Sequence, residues 1–218
     1  MHKDPIEIII KEAAAFTREK MKNLRASHGW DHVQRVYALS ERIARAEGAD
    51  IALVRLAALL HDIAREEEDR SGGGICHAEK GSLQAREFLM GRGLDGDRAD
   101  QVAHCIITHR FRNNHVPQTP EARALYDADK LDSIGAIGIG RAFLFSGEVG
   151  AKLHNSDAEI EKTSAYSEED TAYREFAVKL RFVKDRMLTD EGRRIAEVRH
   201  EFMLLFFHQL DEEVRGLR

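Results

Sequence analysis

"ALLHDIA", residues 58–64, decides the reading of this chain. Ala58, Leu59, Leu60, Ile63 and Ala64, preceded by Ala57, are the residues of a buried helix, yet they enclose an imidazole, His61, and a carboxylate, Asp62. A neutral polar group buried without a partner costs roughly 2–7 kcal/mol. Two adjacent ionisable groups in such a place therefore require partners. The candidates are a hydrogen-bond network or a bound metal.

Outward from that stretch the pattern is helical. The chain has 218 residues and only three prolines, and its apolar residues recur mostly at three- and four-residue steps. The expected fold is all-α, a single compact helical bundle over residues 1–218. A first helix is expected from about Pro5 to Lys22, with Ile8, Ala15 and Met21 inward. A second begins near Trp30 and stops before Gly48. Asp50 caps a third that is apolar nearly all round and so sits centrally. "EEEDRSGGG" (66–74) reads as a solvated loop, in which Glu66 could hold a water. Helices follow from near His77, from about Gly96 to His109, and from Thr119-Pro120, an N-cap with proline at the first helical position. "SIGAIGIGRAFLF" continues as a closely packed, glycine-rich helix. Residues 146–166 lack a period and read as a long loop, a lid or a disordered segment. Two closing helices start at Ser167 and Thr189.

Composition excludes several classes. The hydrophobic content of 43% supports a real core, and the net charge is −5 with a pI near 6.1. No Lys/Arg-rich run suggests a nucleic-acid groove, and an acidic surface disfavours anionic membranes. No apolar run approaches the roughly 20 residues of a membrane span. "MHKDPIEIIIKEAAAF" is too charged for a signal peptide. Cys76 and Cys105 lack a CxxC spacing and read as thiols of a reducing compartment, so the expected location is cytoplasmic.

Polar residues recur on the apolar faces. His32 shares a face with Val36, Leu39 and Ile43; His61 with Val54, Ala57 and Ala58; His77 with Gly81, Ala85 and Phe88; His109 with Val102, Cys105 and Ile106; Asp129 with Ala122, Leu125 and Tyr126. Asp62 can reach the same centre from the adjoining edge of its helix. One histidine on an apolar face is more often a satisfied core residue than a ligand. Five such faces, with a His-Asp dipeptide on the middle one, point to a divalent cation that accepts imidazole lone pairs and neutralises carboxylates together. Without thiolates the set suits Mn, Fe, Co, Ni or Mg, and catalytic Zn stays open.

The stretches "HVQRV" (32–36), "LLHDIA" (59–64) and "DADKLD" (127–132) resemble the ordered H…HD…D signature of the HD-domain metal-dependent phosphohydrolases. "DADKLDSIGAIGIGRAF" resembles more narrowly a bacterial branch of HD hydrolases that includes nucleotide-hydrolysing members. The resemblance implies His32, His61, Asp62 and Asp129 as metal ligands. His77, in "HAEKG", and His109, in "ITHRF", resemble the additional histidines of HD enzymes with two metals. Arg65 stands where the cyclic-dinucleotide phosphodiesterase branch carries a lysine. The Gly-Tyr-Pro motif of that branch is missing, which argues against a cyclic-dinucleotide substrate.

The expected chemistry is hydrolysis of a phosphate ester or anhydride, with a nucleotide as the small-molecule partner. Two versions are a nucleoside triphosphate pyrophosphohydrolase and a nucleotidase. Asp62 would orient the attacking water. Attack at phosphorus builds negative charge that fixed cations stabilise, so Arg65, Lys80, Arg110 and Lys130 are candidate phosphate contacts. His28, in "SHGWDH", is a further candidate for substrate, for a helix cap or for support of His32. The alternatives are a di-iron HD-type oxygenase and a non-catalytic metal or nucleotide sensor. The sequence leaves the oligomeric state open, a homo-oligomer included.

Overall fold

The computed structural model describes residues 4–22, 24, 29–110, 115–155 and 160–218, and the described residues form helices and turns without a strand. His28 lies outside them. Cα proximity groups the chain into two compact units, Met1–Asp129 and Lys130–Arg218.

The first unit begins with α1 (Pro5–Lys20), capped by Asp4, whose carboxylate accepts from the Ile6 N–H at 3.1 Å. Its buried face is Ile9, Ile10, Ala13 and Thr17, followed by Met21. The expected Ile8 and Ala15 are exposed. Three consecutive isoleucines leave the phase of a helix ambiguous, and the outcome is one step round from the sequence reading. α2 (Trp30–Glu47) ends at Gly48, whose φ of 69° is a left-handed cap that glycine adopts without strain. α3 (Ile51–Leu60) packs against α1 and α2, and seven of its ten residues are buried. Thr17 on α1 donates its hydroxyl proton to the Leu59 carbonyl at 2.9 Å, so even the polar group on α1's inner face is satisfied.

Residues 65–70 correct the expected loop: they form α4 (Arg65–Arg70). Gly72 and Gly73, at φ 61° and 87°, then turn the chain into α5 (His77–Gly91). α6 (Gly96–Thr108) packs against α5 and α3. α7 (Pro120–Leu131) starts where expected, with the Thr119 hydroxyl accepting from the Ala122 N–H at 3.2 Å, and its residues up to Asp129 complete this unit.

The Asp50 cap joins three elements. One carboxylate oxygen accepts from the Ala52 and Leu53 N–H groups at 2.9 and 3.1 Å. The other accepts from Arg98 of α6 at 3.1 Å. The Asp50 N–H itself donates to Glu121 of α7 at 2.9 Å. Asp50→Ala is expected to cost about 1–2 kcal/mol of stability, read by urea unfolding; a midpoint equal to wild type would remove the cap from the account.

The second unit contains α8 (Gly135–Glu148), α9 (Ala172–Val178), a 3₁₀ stretch at Leu180–Arg186 and α10 (Asp190–Val214). α9 starts later than expected, capped by Thr171, whose hydroxyl accepts from Arg174 N–H at 3.0 Å. The described part of the aperiodic segment is held by polar contacts rather than loose. Asn155 donates to the Glu169 carbonyl and carboxylate at 3.0 and 2.8 Å. Arg174 donates to Asp170 at 2.9 Å and to the Thr163 carbonyl at 3.2 Å. The backbone N–H of Tyr166 donates to the same Asp170 at 2.7 Å. Among the described residues, no helix is long and apolar enough to cross a membrane.

Candidate metal centre

The candidate ligands all lie in the first unit and come from five places in it. His32 is on the first turn of α2. His61 caps the C-terminal end of α3, and Asp62 follows it in the turn. His77 opens α5, His109 caps the C-terminal end of α6, and Asp129 lies near the end of α7. Their ligand atoms form two sets of three, His32–His61–Asp129 and Asp62–His77–His109, each within 4.8 Å. Within the first set, His32 Nε2 is 3.2 Å from His61 Nε2 and 3.5 Å from Asp129 Oδ1. Within the second, His77 Nε2 is 3.2 Å from His109 Nε2 and 3.0 Å from Asp62 Oδ1. Asp62 faces both sets. Its Oδ2 is 3.8 Å from His32 and 3.7 Å from His61, while its Oδ1 is 3.8 Å from His109.

Hydrogen bonding assigns the tautomers. His61 Nδ1–H donates to the Ala58 carbonyl at 2.8 Å and His109 Nδ1–H to the Ile106 carbonyl at 2.6 Å. Each ring sits just past a helix and uses the carbonyl three residues back. Its Nε2 lone pair is thereby left to face inward. Burial lowers the pKa of both imidazoles, that of His109 to about 3, so both are neutral near pH 7. Burial alone would raise the Asp62 carboxyl, but His61, His77 and His32 around it hold it well below the usual carboxylate range. Bare imidazole nitrogens of His61 and His109 therefore face the ionised oxygens of Asp62. Two acceptors at such distances need a shared proton or a cation between them, and a divalent cation satisfies three ligands of a set at once. The donor chemistry thus fits a metal.

The depressed imidazoles also set a pH dependence. The unfolded chain takes up a proton at each histidine near pH 6.5, whereas native His109 stays neutral down to about pH 3. Protons therefore favour the unfolded state in that window. Metal-free protein is expected to lose stability progressively as pH falls below 6.5, with His109 contributing at most roughly 5 kcal/mol by pH 3. Thermal unfolding at a series of pH values checks this, and a melting temperature flat from pH 7 to pH 4 would contradict it.

The HD-domain family model matches residues 29–134, the stretch that carries all six residues. The uncharacterized protein YpgQ of Bacillus subtilis is 36% identical over 196 residues, which is 88% of this chain and 87% of YpgQ. The chain belongs to the HD-domain family. Solved structures agree with that membership. The crystal structure of Bacillus subtilis YpgQ in complex with ADP superposes with a TM-score of 0.76 at 30% identity, over 96% of this chain and 97% of that one. An HD-superfamily hydrolase from Bacillus thuringiensis gives 0.77 at 26% identity, over 96% and 98%. A predicted HD-superfamily hydrolase from an uncultured Thermotogales bacterium gives 0.67 at 27% identity, over 93% and 91%.

The remaining candidates of this HD domain are placed differently from one another. Arg65 and Arg110 converge on His77: their Nη1 atoms are 3.5 and 3.2 Å from its Nδ1. Both also meet Glu68, Arg110 at 2.5 Å and Arg65 at 3.6 Å. Lys80 is ion-paired with Glu67 on α4. Lys130 follows Asp129 in α7 and is half-buried. Glu66 pairs with Arg70 at 2.6 Å, so the carboxylate of this run that reaches the histidines is Glu68, two residues later. Glu68 Oε2 lies 2.5 Å from His77 Nδ1. Burial pushes its carboxyl up, and contacts with His77 and Arg110 outweigh that and hold it below the ordinary value. Spacing alone does not single Glu68 out, because Glu68 and Asp69 stand three and four residues after Arg65 and both pair with it. Cys105 is buried with its thiol pushed up to about 12, which keeps it a neutral core residue.

Proposed function

We propose that this HD-domain protein is a metal-dependent phosphohydrolase whose substrates are nucleotides, cleaved at a phosphate ester or anhydride bond. The observation that carries the reading is the convergence of imidazole lone pairs from His61 and His109 on the two oxygens of one ionised carboxylate. His32, His61 and Asp129 would hold one cation, and His77 and His109 a second. Asp62, with one oxygen toward each set, would join them. In this proposal Asp62 holds the pair, where the sequence reading gave it the attacking water to orient. Divalent cations held there would supply an acidified water near neutral pH and withdraw charge from a phosphoryl oxygen. The side chain of Asp129 is 18% exposed against 2–4% for His32 and Asp62, so the substrate phosphate is proposed to approach on the Asp129 side. The complex of YpgQ with ADP supports a nucleotide as the class of ligand.

The test is hydrolysis by pure protein of a panel of nucleoside mono-, di- and triphosphates with Mn, Fe, Co, Ni, Mg or Zn, with products separated by chromatography. Release of phosphate or pyrophosphate, abolished by chelator and restored by metal, is expected. Pyrophosphate with monophosphate would identify a triphosphate pyrophosphohydrolase; free nucleoside would identify a nucleotidase. Oxygen consumption by the iron form without phosphate release would replace the proposal with an oxygenase. Tight nucleotide binding without turnover under every metal would replace it with a sensor.

A further inference from the structure

We propose that Glu68 is a positioning residue that secures the second cation by fixing the ring of His77. This inference rests on the reading of two cation sets given above. His61 and His109 give their Nδ1–H groups to carbonyls of their own helices. His77 opens its helix, where no preceding helical carbonyl is available to it. Its Nδ1 meets a side chain from another element, Glu68 of α4, at 2.5 Å. That contact fixes the tautomer that turns Nε2 toward Asp62 and His109, and a charged acceptor strengthens the ring as a donor to a cation. The negative charge this requires is held in place by Arg110 at 2.5 Å and by Arg65 at 3.6 Å.

Two arginines and a carboxylate thus sit at the edge of His77 opposite its inward nitrogen. Arg65 and Arg110 were candidate phosphate contacts in the sequence; in this proposal they hold Glu68 instead. The first set has no counterpart to this contact at His61, whose acceptor is backbone. Loss of Glu68 should therefore weaken one cation and spare the other.

The experiment titrates metal-free, full-length wild type, Glu68→Ala and Glu68→Gln with Mn²⁺, following free Mn²⁺ by electron paramagnetic resonance. Wild type is expected to take up two equivalents. In Glu68→Ala the affinity for one of them should fall by about 10–100-fold, with the other within about twofold of wild type. Glu68→Gln keeps the shape and one acceptor oxygen, so it should fall less and guards against a folding failure of the alanine variant. Two equivalents at wild-type affinity in both variants would overturn the role of Glu68. Equal weakening of both equivalents would also overturn it, since that marks a general structural effect. Uptake of a single equivalent by wild type would instead overturn the two-cation reading, and this inference with it.

Discussion

Asp62→Ala is expected to lose both of the proposed cations and to lower the turnover of the proposed phosphohydrolase by at least about a thousandfold. Each Asp62 oxygen faces imidazole nitrogens of a different set, so one substitution removes a ligand from both. The helices should persist, because Asp62 lies in the turn after α3 and not inside a helix. Elemental analysis, steady-state kinetics and far-ultraviolet circular dichroism separate these effects. Full activity, or an undiminished metal content, would remove Asp62 from the centre.

Gly138→Ala should be the most damaging change outside the metal centre. A Cβ at Gly138 would lie 2.2 Å from the Ser133 carbonyl oxygen and 2.4 Å from its carbon. Both are backbone atoms, so no rotamer change relieves the clash, and the turn between α7 and α8 has to move. That turn is itself fixed. Arg141 donates to the Asp132 carboxylate at 2.8 Å and to its carbonyl at 3.2 Å, and Arg199 donates to the Leu131 carbonyl at 2.5 Å. A loss of roughly 3–5 kcal/mol is expected, in the range of the more severe single substitutions. Gly140 on the same helix is the control. A Cβ there meets nothing within 4 Å, so Gly140→Ala should gain about 0.5–1 kcal/mol from helix propensity. Opposite signs in urea unfolding are the expected result, and a Gly138→Ala variant as stable as wild type would refute the close approach.

The sequence exposed most of the candidate metal centre because burial is costly for imidazoles and carboxylates. His32, His61, His77, His109 and Asp129 each interrupt an apolar stripe, and such interruptions are readable one helix at a time. Helix starts at Asp50 and Thr119 were equally legible, since a cap is a local signal. Glu68 was hidden. In a run of four acids nothing local marks which one turns inward, and the turn of α4 chooses. The face of α1 was obscured by Ile8–Ile10, which fit more than one phase. The stretch around Asn155, Asp170 and Arg174 lacks a period because side-chain hydrogen bonds to distant backbone organise it, and those leave no repeat in the sequence.

His61 and His109 each follow the last turn of a helix, and this placement does more than choose a tautomer. The carboxyl-terminal end of a helix carries about half an elementary negative charge from its aligned peptide dipoles. α3 and α6 both end at the cluster, so together they lend it roughly one negative charge that belongs to no side chain. That part of the field persists in acid and survives replacement of any single ligand. A formal tally of carboxylates consequently understates how strongly this pair of helix ends attracts a cation.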